Sequence, residues 1–578
     1  MNLRKLILIA FVFSGAAALI YEVTWTRPLQ FVLGSTIYTT SIIFAAFMAG
    51  LSLGSIIISK FVDKIKNLPR AYALMELSIG IYGALLLLIF NLLPRLYRFI
   101  FTLHENFYLF ELSQFLLTFL VLLIPTTLMG ATFPIIVKFY TKEKIGKGIG
   151  EIYSANNIGA IIGSFSAGFL LIPLLGIKAS IILAAIINIV IAIFILFVVS
   201  KNLFKKLIPI VVVLFLILIY TGNYDIDEIH TSGFSARFPK EVIKAGETLY
   251  YKEGIHATVT VKELVPRGLA LFINGKGQGS TVVTDLRVNF LLAYLPLVLK
   301  QESEKILVLG LGTGTTSGQI AQIKNVTTIE IEPAVVDATK HFLFMNLNVL
   351  KNPNHNLIIA DGRNYLMKSK EKYDVIIPEP CDPWQSFSSA LYSKEFFELG
   401  KKHLSEEGIY IQWVPIYELD IEDFKSFYKT FNSVFPHVVA FVNIKEDEEL
   451  LVKLRTSEII LIGSKEKIKL DEEKIKKNFD SLPLTIKNYF ADIGIDSSEK
   501  LLHLFFFTSE QMEGYADDAE LITDDKPKLE FSTAQKVRLQ NPEEVTQDIE
   551  NFLEKNPRES FDLSSNNMNT GYVLEVKK

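Results

Sequence analysis

Two carboxylates, Glu379 and Asp382, stand close together in "YDVIIPEPCDPW", residues 373–384. Pro380 and Pro383 stiffen that stretch, and a pair of acids at the end of an apolar run attracts a cation and can take a proton from it. Three earlier stretches carry groups suited to a nucleoside. "KILVLGLGTGTT" holds Gly310, Gly312 and Gly314 just before a helix, where positions without side chains let a ligand lie against the backbone. "VTTIEIEP" ends its run on Glu330, 18 residues after Gly312, placed to accept hydrogen bonds from both hydroxyls of a ribose. "NLIIADGRNYL" ends at Asp361 and Gly362, a carboxylate suited to an adenine amino group. Any one of these acids would serve equally to cap a helix or open a turn. Three in order, each closing a strand, point instead to a shared crevice. Thr315 occupies the place of the last glycine of a dinucleotide fingerprint, which disfavours a nicotinamide ligand.

The elements that must position these groups follow from the patterning. From Gly246, "GETLYYKEGIHATVTVKELVPRGLALFINGKGQGS" alternates β-branched and aromatic residues with turn residues, which predicts a small antiparallel sheet. A helical stretch, "VNFLLAYLPLVLKQ", leads into alternating strands and helices, the signature of a parallel sheet covered on both faces. Residues 223–298 are read as the small sheet with its connecting helix and 299–465 as a Rossmann-like nucleoside-binding domain. The charged region 466–578 is read as a helical extension, with a mobile tail after about residue 555.

The first 222 residues are different in kind. Half of the 578 residues are hydrophobic, mean hydropathy is +0.33, and the excess lies before about residue 222. Apolar runs of roughly 17 to 25 residues mark seven candidate spans, near 6–24, 38–58, 73–94, 112–136, 152–175, 179–199 and 207–221. The reading is a multi-pass α-helical membrane domain, in a cell membrane, with the lipid bilayer as a partner. Lysines and arginines concentrate in alternate loops, around Lys60 to Arg70, Lys138 to Lys147 and Lys201 to Lys206, which places the N-terminus in the cytoplasm. Seven spans then put the second half outside; a seventh span lying in the interface would leave it inside. Gly50 and Gly54, and Gly159 and Gly163, allow close helix packing, with a homo-oligomer left open. Glu22 and Arg27 flank the end of the first span, and Glu76, Asn156 and Asn157 fall within spans, where ionisable groups suggest a pathway or, for Glu22, a place at headgroup level. The net charge of −4 offers no basic field for nucleic acid, and a single cysteine, Cys381, excludes an internal disulfide and a multi-cysteine metal site.

Taken together, "LFINGKGQ", "ILVLGLGTG", "IEIEP", "ADGRNYL", "YDVIIPEPCDPW", "LYSKEFF" and "GIYIQW" resemble the spermidine synthase (polyamine aminopropyltransferase) family. "SGAAALIYEVTWTRPL", "FMAGLSLGS" and "TDDKPKLEF" are similar to its membrane-fused branch. The resemblance implies a Rossmann-like fold of the S-adenosylmethionine methyltransferase type. It implies transfer of an aminopropyl group from decarboxylated S-adenosylmethionine, as co-substrate rather than tightly bound cofactor, to putrescine or a related small-molecule amine. It implies that Gln278, Glu330, Asp361 and Gly362 hold the nucleoside, that Glu379 replaces the family's proton-accepting aspartate, and that Asp382 binds the amine. The sequence also departs from the family. Thr313 stands where an acid contacts the donor's propylamine, and Val288, Asn289, Phe290 and Tyr294 stand where polar groups recognise a diamine. Two alternatives therefore stay open: a methyltransferase using intact S-adenosylmethionine, and a transporter whose second half senses a nucleoside without turnover.

Overall fold

The computed structural model describes residues 3–104, 106–141, 145–207, 245–264, 268–379, 382–385, 388–443, 458–468, 470–536 and 542–556, with the isolated positions 209, 212 and 216. The chain forms two compact units, Met1–Thr260 with Ile273–Lys276, and Val261–Phe272 with Gly277–Lys578.

The first unit is built from long helices: α1 (Leu3–Leu33), α2 (Ile37–Phe61), α3 (Leu68–Phe90), the short α4 (Leu93–Leu103), α5 (Phe107–Tyr140), α6 (Ile145–Ser166) and α7 (Ile172–Val199). Side-chain oxygens of Thr36, Asn67 and Asn106 cap α2, α3 and α5 by accepting from backbone N–H groups of the first turn. Five helices are long and apolar enough to cross a membrane; the fifth, Ile145–Val199, is broken at Gly176, whose φ of 83° is not helical, and so holds two of the expected spans. The span expected at 207–221 lies outside the described residues, apart from isolated positions. Large apolar side chains face outward, among them Leu120, Ile161, Phe165 and Leu174. Both glycine pairs are used inside the unit. A Cβ at Gly54 would meet Thr127 O of α5 at 1.9 Å, and one at Gly159 would meet Val12 O of α1 at 1.9 Å.

Strands β1 (Ala245–Glu253), β2 (Thr258–Leu264), β3 (Leu269–Ile273) and β4 (Lys276–Ser280) form a four-stranded sheet in sequence order. After α8 (Val283–Leu299) comes an eight-stranded sheet made of β5 (Lys305–Leu309), β6 (Asn325–Glu330), β7 (His355–Ile359), β8 (Tyr373–Pro378), β9 (Leu404–Val414), β10 (His437–Asn443), β11 (Glu458–Ser464) and β12 (Phe505–Thr508), in the order β12-β10-β11-β9-β8-β5-β6-β7. Strands β9, β8, β5, β6 and β7 run parallel, and β11, β10 and β12 extend the β9 edge antiparallel. The chain moves outward from β5 through β6 to β7 and returns to place β8 on the other side of β5. That reversal leaves a crevice beyond the carboxyl ends of β5 and β8, the usual ligand position in such sheets.

Apolar residues on the parallel strands serve both faces, as a doubly covered sheet requires. Leu307 and Leu309 of β5 enter one core with Ile376, Tyr410 and Phe431, while Ile306 and Val308 enter the other with Val375, Ile377 and Leu291. The C-terminal region forms the helices Glu472–Asp480, Leu484–Asp492, Ser498–Leu502, Lys528–Lys536 and Pro542–Lys555, and also supplies β12. Phe479 and Phe490 close one core and Phe507, Tyr515 and Val545 the other, so this region completes both faces of the sheet. Residues 557–578 lie outside the described residues.

Candidate active site

The glycine loop follows β5 because its backbone enters a region closed to most side chains. Gly310, Gly312 and Gly314 have φ of 107°, 53° and 77°. Gly310 is also tightly packed: a Cβ there would lie 2.9 Å from the carbonyl oxygen of Glu379, whose own N–H donates to Leu309 O at 2.8 Å. Nothing stands within 4 Å of a Cβ built on Gly312, leaving that face of the loop open to a ligand. Helix α9 (Thr315–Ile320) begins at the left-handed Gly314. Thr313 is buried, its hydroxyl 2.7 Å from that of Thr315, and its carbonyl accepts from Asn346.

Glu330, at the carboxyl end of β6, braces this loop. One carboxylate oxygen accepts from Leu311 N at 2.9 Å and the other from Glu332 N at 2.8 Å. Burial pushes its pKa up from the ordinary value, against the opposing pull of the backbone N–H groups. Asp361, two residues past β7, caps α10 (Gly362–Lys368) by accepting from Asn364 N at 2.7 Å. The cap leaves acceptor positions on this carboxylate unused, since each carboxylate oxygen has two.

Glu379 follows β8 directly. Its Oε1 is buried and makes no hydrogen bond, and burial raises the carboxyl to about 7, with the Thr316 hydroxyl of α9 pulling the other way. Asp382 is 3% exposed, and its Oδ2 accepts from Gln385 Nε2 at 3.0 Å and from Gln278 Nε2 of β4 at 3.4 Å. Gln278, expected beside the nucleoside, is thus in contact with the expected amine-binding acid. Pro380 and Cys381 lie outside the described residues, as does the stiffness expected of that pair of prolines.

Residues that sequence reasoning passed over also reach this edge of the sheet. Trp384 Nε1 donates to Glu418 at 3.0 Å, and both side chains are buried. Glu458, at the start of β11, accepts from Asn443 of β10 at 3.0 Å and from Trp413 of β9 at 3.2 Å; burial, with Asp285 adding to it, raises it to about 8. Burial, and then the charges of Glu418, Asp382, Glu458 and Asp285, hold the Tyr417 phenol above its ordinary range, so four carboxylates lie within electrostatic reach of one ring. A signal for Glu418 and Glu458 existed only in the strand order, since β11 runs antiparallel to β9 and brings its first residue to the carboxyl end of β9. The substituted positions on α8 have structural uses. Val288 and Phe290 are core, Tyr294 donates to Gln319 at 2.6 Å, and Asn289 accepts from Thr316 at 3.1 Å.

Fold and site together define an α/β domain with a glycine loop and buried acids at the reversal point of its sheet. Residues 286–446 match the model of the spermine/spermidine synthase domain. The chain is 24% identical over 480 residues to polyamine aminopropyltransferase 2 of Aquifex aeolicus, covering 81% of this chain and 90% of that one. It is 36% identical over 184 residues to the polyamine aminopropyltransferase of Sulfurisphaera tokodaii, covering 31% of this chain and 60% of that one. The structure of spermidine synthase from Thermotoga maritima aligns with a TM-score of 0.34 and 21% identity, over 43% of this chain and 89% of that one. The chain thus carries a region similar to the spermine/spermidine synthase domain and is similar over most of its length to a polyamine aminopropyltransferase. The match to the Aquifex protein is too long to fit within residues 245–578, so it extends into the helical unit, as a fused N-terminal domain requires.

Proposed function

We propose that the chain is a membrane-bound aminopropyltransferase that moves the aminopropyl group of decarboxylated S-adenosylmethionine to putrescine or a related amine. The observation that carries this reading is Glu379: a carboxylate with a buried, unpartnered oxygen and a pKa of about 7, beside a glycine loop at the reversal point of the sheet. An alkylammonium of pKa about 10 must lose a proton before its nitrogen is a nucleophile, and a base poised near neutrality is suited to take it. In the step proposed, the amine nitrogen forms a bond to the sulfonium-bound methylene carbon. The carbon–sulfur bond breaks, methylthioadenosine leaves with the electron pair, and Glu379 receives the N–H proton. Asp382, held by Gln278 and Gln385, orients the amine. The open face at Gly312 and the buried carboxylate of Glu330 fit a nucleoside, with Glu330 at the ribose and Asp361 and Gly362 at the base. The membrane reading rests on the five long apolar helices and their outward apolar side chains.

Thr313 favours a second reading on one point. The loop offers a buried hydroxyl, bonded to Thr315, where an acid would hold the donor's ammonium group, so a donor without that group, or with a carboxylate beside it, is not selected against there. Purified full-length protein given decarboxylated or intact S-adenosylmethionine with a panel of amines separates the two. Methylthioadenosine release that depends on amine supports the proposal; adenosylhomocysteine from the intact donor supports methyl transfer in its place.

A further inference from the structure

The helical unit contains a buried carboxylate that the transfer chemistry does not use. Glu76, on α3, is fully buried. Ser14 of α1 donates to one of its oxygens at 2.6 Å and Asn188 of α7 to the other at 2.5 Å. Among the described residues no lysine, arginine or histidine pairs with it. An ionised carboxylate taken out of water needs a positive charge beside it, because neutral donors offset only part of the lost hydration.

Around this carboxylate the polar groups are incompletely used. The Tyr72 hydroxyl faces Ser14 and Glu76 without forming a hydrogen bond of regular geometry, and Asn188 Oδ1 has no partner. Tyr21, with its hydroxyl also unpartnered, stacks on Trp25 at 4.6 Å between ring centroids. These are buried side chains, and in most proteins such atoms are satisfied. Close packing holds them in place: a Cβ on Gly83, in α3, would lie 2.5 Å from the Tyr21 hydroxyl. The surroundings hold few other charges. Tyr21 and Tyr72 are the titratable groups that face Glu76. Arg4, Lys5, Glu22 and Arg27 lie on α1, Arg70 in the first turn of α3, Arg95 and Arg98 on α4 and Lys178 on α7, and α5, which also packs on α3, carries Glu111 near its start and Lys138 near its end.

One carboxylate, one amide oxygen without a partner and the phenol oxygens make a site for a single positive charge that also donates hydrogen bonds. Oxygen acceptors answer N–H donors. We propose that Glu76 with Ser14, Asn188, Tyr72 and Tyr21 forms a second ligand site, which binds a primary ammonium ion in exchange for a proton. The exchange balances in charge: a carboxylic acid and an alkylammonium give a carboxylate–ammonium pair and one released proton. The site stands on the geometry of the helical unit alone and does not depend on the transferase reading.

The test uses full-length protein carrying Glu379→Gln and Asp382→Asn, so that the proposed transferase site cannot supply the proton. Calorimetric titration with n-butylammonium, in two buffers of different ionisation enthalpy, is expected to show binding with release of one proton. Tetramethylammonium, which has no N–H, and sodium are expected to give neither. Adding Glu76→Gln is expected to abolish the release in a protein that still unfolds cooperatively on heating, while Asn188→Ala weakens binding and keeps one proton per amine bound. The proposal is overturned if n-butylammonium does not bind, if sodium releases the proton equally well, or if proton release persists in the Glu76→Gln protein. Loss of methylthioadenosine formation in wild-type protein, with amine-linked proton release intact, would remove the transferase reading and leave this one standing.

Discussion

Glu379 illustrates how one position can set a pH profile. Its carboxyl is raised to about 7 by burial, so below that pH the base is protonated and cannot accept from the amine. Aminopropyl transfer is expected to rise as pH climbs through about 7 and then to flatten on the alkaline side. Glu379→Gln is expected to lower the rate by roughly 10²- to 10⁴-fold, the range for loss of a general base, and to remove that inflection; initial rates from pH 5.5 to 9 check both. The two acids were legible in the sequence because a buried apolar strand that runs straight into charge must deliver that charge to the sheet's carboxyl edge, where ligands bind. Their neighbours were not. Glu418 and Glu458 follow or precede ordinary strands, and only the pairing of β9 with β11 brings them to the same edge. Gln278, expected at the nucleoside, donates to Asp382 in the structure, a contact that its position in the sequence does not announce.

At the scale of elements, the glycine loop, the end of β6 and the segment after β8 act as one assembly. Glu330→Gln places an amide N–H₂ where one of two backbone N–H groups now donates, so one hydrogen bond is lost and two donors face each other. A loss of about 1–3 kcal/mol is expected, read by chemical denaturation, together with weaker nucleoside binding. The "TDDKPKLEF" segment gains a physical meaning from the structure. Asp524 forms a two-pronged ion pair with Arg363 of α10, Arg363 also donates to Ala390 O, and Glu530 accepts from Ser389 at 3.1 Å. The C-terminal region therefore braces both the helix after Asp361 and the loop after Asp382. Because the pair is partly exposed, Asp524→Asn is expected to cost only about 1 kcal/mol of stability, while raising KM for the nucleoside donor several-fold at near-normal kcat. Parallel strands of the sheet could be read in order from apolar runs and the groups that end them. Strand β12 could not, since "FFFT" is too short to distinguish from a core segment of the helices around it.

For the whole molecule, a helical unit with outward-facing apolar side chains is joined to an α/β enzyme unit, each with its own core. The long apolar helices were legible because about twenty apolar residues in a row leave little choice, whereas the surroundings of a buried Glu76 depend on which helices meet around it. Full-length protein is expected to stay with the membrane fraction through alkaline carbonate washing, and recovery in the wash would contradict the membrane reading. The central claim is amine-linked chemistry at a nucleoside site. Its most direct measurement is methylthioadenosine release by purified full-length protein supplied with decarboxylated S-adenosylmethionine and putrescine or a related amine. Release that requires the amine, and that falls by at least about a hundredfold in the Glu379→Gln protein, is the result predicted. No release with any amine, or release unchanged in that variant, would contradict it.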